Sequence, residues 1–212
     1  MNRRQVLKNI GLGAGYVMVA PAAFNLLQSC KSEPKNEWQP VFLNVTNGMA
    51  LTHILDVILP KTDTPGASDL NIAQFIDAYM DEVAEEGQKK EFEAGANAFA
   101  LSFKENLDKD LKDGEHEDFE KVVAKYLGAD KETRDAYVKV ISATQDPEAP
   151  EVEFDAHAGS YAYLSAVRDL GIWAWKNSEE VGENVLWYDP IPGVYQGCLP
   201  LEEAGGGKTM SL

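Results

Sequence analysis

Cysteine and histidine are nearly missing from this chain. It has two cysteines, Cys30 and Cys198, and three histidines, His53, His116 and His157. No CxxC pair and no HxH or HExxH spacing occurs, which excludes the common zinc and iron–sulfur sites. His53 and Asp56 stand three apart and could share a metal, but no third ligand accompanies them; the pair reads as a solvated helix surface. His116 falls in a charged turn and reads as exposed. A GxSxG elbow is absent, and so is a GxGxxG following a strand, which removes the usual serine-hydrolase and dinucleotide-binding motifs. Basic residues are few as well, 19 Lys and Arg against 35 Asp and Glu, for a formal charge of −16. That surface repels phosphate backbones and excludes nucleic acid as a partner. No alternating apolar pattern is long enough for a sheet, and no internal repeat is visible. No catalytic, cofactor-binding or metal-binding set is therefore assigned, and the chain reads as no enzyme by itself.

The most distinctive stretch is the first thirty residues, MNRRQVLKNIGLGAGYVMVAPAAFNLLQSC. Arg3 and Arg4 form a charged head, and Ile10 to Leu27 is a mostly apolar run interrupted by Gly11, Gly13, Gly15, Pro21 and Asn25. The interruptions make it too short for a membrane span but suit an export signal. N-R-R-Q-V-L-K resembles the twin-arginine signal, an address read by a receptor of a route that carries folded proteins. L-Q-S-C resembles a lipobox, in which Cys30 becomes the lipidated mature N-terminus. The expected location is the periplasmic side of a membrane, lipid-anchored after twin-arginine export. Residues 1–29 form the signal and 30–46 a polar tether with Pro34 and Pro40. With Cys30 lipidated, Cys198 has no mate in its own chain, and is either buried and inert or joined to another chain.

Residues 47–200 carry helical periodicity, and 201–212, opening on Gly205 to Gly207, reads as a flexible tail. Leu51, Ile54, Leu55, Ile58 and Leu59 fall on one face until Pro60 stops the helix. The loop K-T-D-T-P-G-A-S-D follows, in which Gly66 is expected at positive φ. Ile72, Phe75, Ile76, Tyr79, Met80 and Val83 repeat an inward face up to Gly87. A third helix over 88–111 turns Phe92, Ala96, Phe99, Phe103 and Leu107 inward. After a charged, solvated turn to Asp118, a fourth carries Phe119, Val122, Val123, Tyr126 and Leu127 and ends at Gly128. Asp130 caps a fifth with Ala136, Tyr137, Val140 and Ile141 inward, and two prolines in Q-D-P-E-A-P-E break the chain. The prediction is all-α, a single bundle of about six helices with an irregular aromatic C-terminal segment.

The sixth helix, 153–177, is apolar on both sides. His157, Tyr161, Leu164 and Trp175 share one, and Tyr163, Val167, Leu170 and Trp173 the other. Such a helix runs through the centre of a bundle or meets another protein. His157 and Arg168 share a face and read as a buried polar pair that meets a carboxylate; an active-site role is the alternative. Beyond Gly182, three prolines and two glycines preclude regular structure, yet Trp187, Tyr188 and Tyr195 crowd there. Aromatics concentrate where proteins meet, so Trp173, Trp187, Tyr188, Tyr195 and Cys198 are the candidate partner contacts.

Two stretches point to a family. L-T-H-I-L-D-V-I-L-P-K-T-D-T-P-G-A-S-D-L-N-I-A-Q-F-I-D, Leu51 to Asp77, and L-W-Y-D-P-I-P-G-V-Y-Q-G-C, Leu186 to Cys198, resemble the small (gamma) subunit of gluconate 2-dehydrogenase, also called subunit 3. The resemblance spans roughly Ala50 to Pro200. It implies a non-catalytic subunit that carries the twin-arginine signal for a large flavin-dependent sugar or sugar-acid dehydrogenase, sometimes with a cytochrome c subunit. FAD is then expected in the partner subunit and no cofactor in this chain. The lipobox adds a membrane anchor. The competing expectation is a stand-alone lipoprotein that binds a small ligand or a protein at an aromatic cleft; a stand-alone enzyme would rest on His157 and Arg168 alone.

Overall fold

A computed structural model describes residues 38–145, 155–191, 193 and 197–211. Arg3, Arg4, Cys30 and Tyr195 lie outside the described residues. The helices are α1 (Val45–Ile58), α2 (Ile72–Glu82), α3 (Glu86–Leu107), α4 (His116–Leu127), α5 (Lys131–Gln145), α6 (Ala156–Lys176) and the short α7 (Leu201–Gly205). Single tight turns cover Ser68–Leu70 and Leu111–Asp113, and a wide turn covers Val181–Val185. The predicted all-α bundle is what forms. Among the described residues there is no strand, only one isolated bridge between Trp187 and Met210. No helix of the described residues is long and apolar enough to cross a membrane.

α6 is the central helix and packs against α1, α2, α3, α4 and α5. Small residues let it lie close to α3. A methyl on Gly95 would sit 2.8 Å from the Cβ of Tyr163, and one on Gly159 would sit 2.8 Å from the Cβ of Ala98. With no side chain between the backbones, Ser102 and Ser160 hydroxyls meet across the seam at 2.7 Å. Around it Phe99, Phe103, Phe119 and Tyr126 are fully buried. Phe103 and Phe119 meet at 4.9 Å between centroids, close enough to add to the area each buries.

Helix starts follow local chemistry. Asn44 accepts the Asn47 N–H at 2.9 Å and begins α1. Asp130 accepts the Thr133 N–H at 2.8 Å and begins α5, as its position predicts. Several bounds differ from the sequence reading. α2 ends at Glu82, so Gly87 lies in the first turn of α3. α3 stops at Leu107 because Asp108 turns left-handed at φ 54°. The charged turn is only partly solvated, since Leu111 and Asp118 are buried. Asp118 belongs to α4: it closes a reciprocal cap with Glu115 and holds Lys109 at 2.7 Å. Those two partners, the Lys109 ammonium first, hold the Asp118 carboxyl below the usual carboxylate range.

Candidate partner interface

Trp173 and Trp175 stand two apart on α6, so about 200° of rotation sends them to opposite sides. The Trp175 indole points to the loop after α1 and donates to the Pro65 carbonyl at 2.8 Å. Trp173 points out, 46% exposed, and meets Phe75 at 5.6 Å and Tyr79 at 5.9 Å between ring centroids. Phe75 itself is 42% exposed and lies 6.2 Å from Tyr79. Val83 and Ile172 extend this apolar surface, 63% and 39% exposed.

The sequence reading put Phe75, Tyr79 and Val83 inward with Ile72, Ile76 and Met80. The structure separates the two ridges. Ile72, Ala73, Ile76 and Met80 are buried, while Phe75 and Val83 are not. Two i, i+4, i+8 ridges one residue apart lie about 100° apart on a helix, and only one can face the core.

The D-T-P-G-A loop is a closed structure. Asp56 accepts from the Ser68 N–H at 3.2 Å and its hydroxyl at 2.8 Å. Asp69 accepts the Gly66 N–H at 3.0 Å and pairs with Lys61 at 2.8 Å. The Ala67 N–H returns to the Leu59 carbonyl at 2.9 Å. The expected positive φ at Gly66 is not found; among the described residues the positive-φ glycines are Gly193, Gly206 and Gly207. Gly66 is required by close approach instead, because a Cβ there would lie 2.6 Å from the Lys61 backbone nitrogen.

Asp77, the last residue of F-I-D, is fully buried. Its carboxylate accepts the N–H of Val41 at 2.6 Å and of Leu43 at 2.9 Å, with Phe42 at 3.3 Å. It thereby fixes the chain entering α1 to the middle of α2. Sequence reading missed this role; the available signal was an ionisable residue on the apolar side of an otherwise regular helix.

Near Asp77, burial pushes the Tyr163 phenol far up and the Asp77 charge adds to the shift. The Tyr163 hydroxyl has no hydrogen-bond partner among the described residues. Tyr163 also lines a cleft of about 430 Å³ between α2, α3 and α6, with Tyr79, Phe92, Ala166 and Leu170.

The C-terminal residues are placed differently from one another. Trp187 is half-buried and committed to its own chain. It donates its N–H to the Thr209 carbonyl at 2.9 Å and accepts the Ser211 N–H at 2.8 Å. A methyl on Gly205 would lie 2.6 Å from its indole, so α7 packs directly on the ring. The stretch expected to be a flexible tail thus carries α7 and a bridge back to Trp187. Tyr188 is half exposed. Cys198 is exposed and free, with φ 58°, so the expectation of a buried thiol fails. The described ring contacts join Trp173 to Phe75 and Tyr79, not to Trp187 or Tyr188.

The three histidines are also resolved. His157 and Arg168 do not meet. The Tyr126 hydroxyl lies 2.6 Å from Nδ1 of His157, whose Nε2 is 3.5 Å from Glu105. Arg168 pairs with its neighbour Asp169 at 2.9 Å. The predicted buried pair is therefore two separate, partly exposed groups. His53 is not a solvated partner of Asp56; it stacks on Phe119 at 4.8 Å. Burial pulls its pKa down, partly opposed by Asp56. His116 is exposed, as its charged turn predicts. Among the described residues no three His, Cys, Asp or Glu side chains converge to hold a metal.

Residues 46–193 match the family model described as Gluconate 2-dehydrogenase subunit 3. The match takes in α1 to α6, Trp173, Trp187 and Tyr188, and ends before Tyr195 and Cys198. No curated protein and no solved structure matches the chain.

Proposed function

The chain belongs to the gluconate 2-dehydrogenase subunit 3 family, and from that membership we propose that it is the small, non-catalytic subunit of an exported, flavin-dependent sugar or sugar-acid dehydrogenase. The family match is the observation that carries this reading. The large subunit holds FAD and selects the substrate, and a cytochrome c subunit accepts the electrons where one is present. This chain supplies the twin-arginine signal at Arg3 and Arg4, supports folding and export of the large subunit, and anchors the complex through lipid on Cys30. Its acidic surface leaves membrane attachment to the lipid rather than to charge.

The exposed aromatic surface supports a partner-binding role, because large rings left in water are the residues that dominate protein contacts. Trp173, Tyr188, Tyr195 and Cys198 remain the proposed contacts, with Trp187 shaping the C-terminal segment from within. The stand-alone alternative, a lipoprotein that binds a ligand, is favoured by the cleft of about 430 Å³ that Tyr163 lines together with Tyr79 and Phe92. Purification of the native chain from its own membranes discriminates the two. A flavoprotein that copurifies in fixed ratio, with dye-linked sugar oxidation, supports the subunit reading. A chain that elutes alone overturns it.

A further inference from the structure

The cluster that α2 and α6 build together, Phe75, Tyr79 and Trp173, has no covering element in the described bundle. All three rings are in mutual contact, at 5.6, 5.9 and 6.2 Å between centroids. Phe75 and Trp173 remain more than two fifths exposed. Rings clustered in water lose part of the burial that would reward them, so this arrangement is costly unless something covers it. The cluster is also preorganised. It rides on two helices whose mutual position is fixed by the core, Trp175 holds the end of α6 to the Pro65 loop, and Asp77 holds α2 to the segment before α1. Contacts made from such a surface lose little side-chain freedom on binding.

Charge disfavours one occupant, a second copy of this chain. Glu82 follows Tyr79 by three residues and Asp169 precedes Trp173 by four, so both carboxylates stand one turn from the rings. Asp169 also lines the two clefts that flank the cluster, one with Tyr79 and Leu170, the other, of about 280 Å³, with Ile172 and Trp173. Arg168 pairs with Asp169 at 2.9 Å and offsets its charge, so Glu82 and Lys176 are the remaining named charges at this rim. The named rim charges thus balance, while the chain as a whole carries −16, which disfavours a second copy of this chain and leaves the catalytic subunit that the family implies.

Resting on the subunit reading above, we infer that Phe75, Tyr79 and Trp173 form the docking centre for the catalytic flavoprotein subunit, which presents an apolar surface to it. The C-terminal segment then lies at the periphery, because Trp187 is already used to hold α7.

The test is a comparison of full-length chains carrying an affinity tag and isolated from native membranes, with the flavoprotein measured by its flavin absorbance. Trp173→Ala and Phe75→Glu are expected to weaken retention of the flavoprotein roughly tenfold or more, with helical circular dichroism and melting close to wild type. Tyr188→Ala serves as the peripheral control, with a smaller effect than Trp173→Ala. If the wild type retains flavoprotein and the α2–α6 variants retain it equally well, the docking centre is wrong while the subunit reading stands. If the wild type retains no flavoprotein, the subunit reading fails and the docking centre with it. Dimers of the purified chain that Trp173→Ala dissociates would assign the face to a second copy and overturn the inference.

Discussion

The indole N–H of Trp175 donates to the carbonyl of Pro65 at 2.8 Å, across a sequence separation of 110 residues. This bond ties the D-T-P-G-A loop to the last turn of the central helix. It also decides which of the two neighbouring tryptophans is left for a partner, since Trp173 must then face away.

Gly66 tests the loop. A side chain there meets the Lys61 backbone at 2.6 Å, which cannot move aside without breaking the return of Ala67 to Leu59. Gly66→Val is expected to cost about 1–3 kcal/mol by overpacking, and thus to lower the melting temperature by roughly 5 °C. Gly66→Ala should show most of the same loss, because the clash begins at Cβ; an unchanged melt for both would refute the close approach.

Asp77 is the second structural test. Asp77→Ala leaves the backbone N–H groups of Val41, Phe42 and Leu43 without their acceptor. The expected loss is about 2–3 kcal/mol in denaturant unfolding, since charge-assisted bonds to a buried acceptor are lost together. Asp77→Asn, which keeps one acceptor oxygen, should fall between. Hydrogen exchange should accelerate first at residues 41–43, and equal protection in both proteins would contradict the assignment.

His53 makes stability depend on pH. Its folded pKa is lowered, mainly by burial against Phe119. The unfolded chain therefore takes up a proton first as pH falls below about 6.5. The stabilising contribution of neutral His53 is present above that value and is lost as pH falls through the folded pKa. Melting temperatures between pH 7.5 and 5 should drop less in His53→Gln than in wild type; parallel curves would remove His53 as the cause.

The proposed export signal is tested at Arg3 and Arg4. Replacing Arg3 and Arg4 by Lys is expected to hold both this chain and its flavoprotein in the cytoplasm, as fractionation and immunoblotting would show. Normal export of the double variant would exclude the twin-arginine route. A labelled fatty acid should enter the wild type and fail to enter Cys30→Ala.

Cys198 has no partner among the described residues and is exposed in a left-handed backbone conformation. In an oxidising compartment such a thiol is available to another chain. Non-reducing electrophoresis of the purified complex is expected to show a band that shifts on reduction and is absent in Cys198→Ser. A complex without that band would leave the thiol free.

Residue periodicity by itself determined six helices and the all-α class. Leu51, Ile54 and Leu55 repeat at helical spacing and are fully buried, and Asp130 caps where a cap was expected. The all-round apolar pattern of 153–177 left a central position and a partner-facing one open, and contacts with five other helices decided for the centre. The motifs at 51–77 and 186–198 carried the family. Tertiary structure alone decided which ridge of α2 turns inward, which tryptophan faces out, and why Gly66 and Asp77 are where they are. Period fixes the angles between side chains on one helix but not the angle of that helix to its neighbours. That second angle is set by contacts between residues distant in sequence, such as Trp175 with Pro65, Asp77 with Val41 and Gly95 with Tyr163. For the same reason Trp187 and the C-terminal stretch looked free in sequence, whereas a short helix and one bridge, built from Gly205, Thr209 and Ser211, hold them in place.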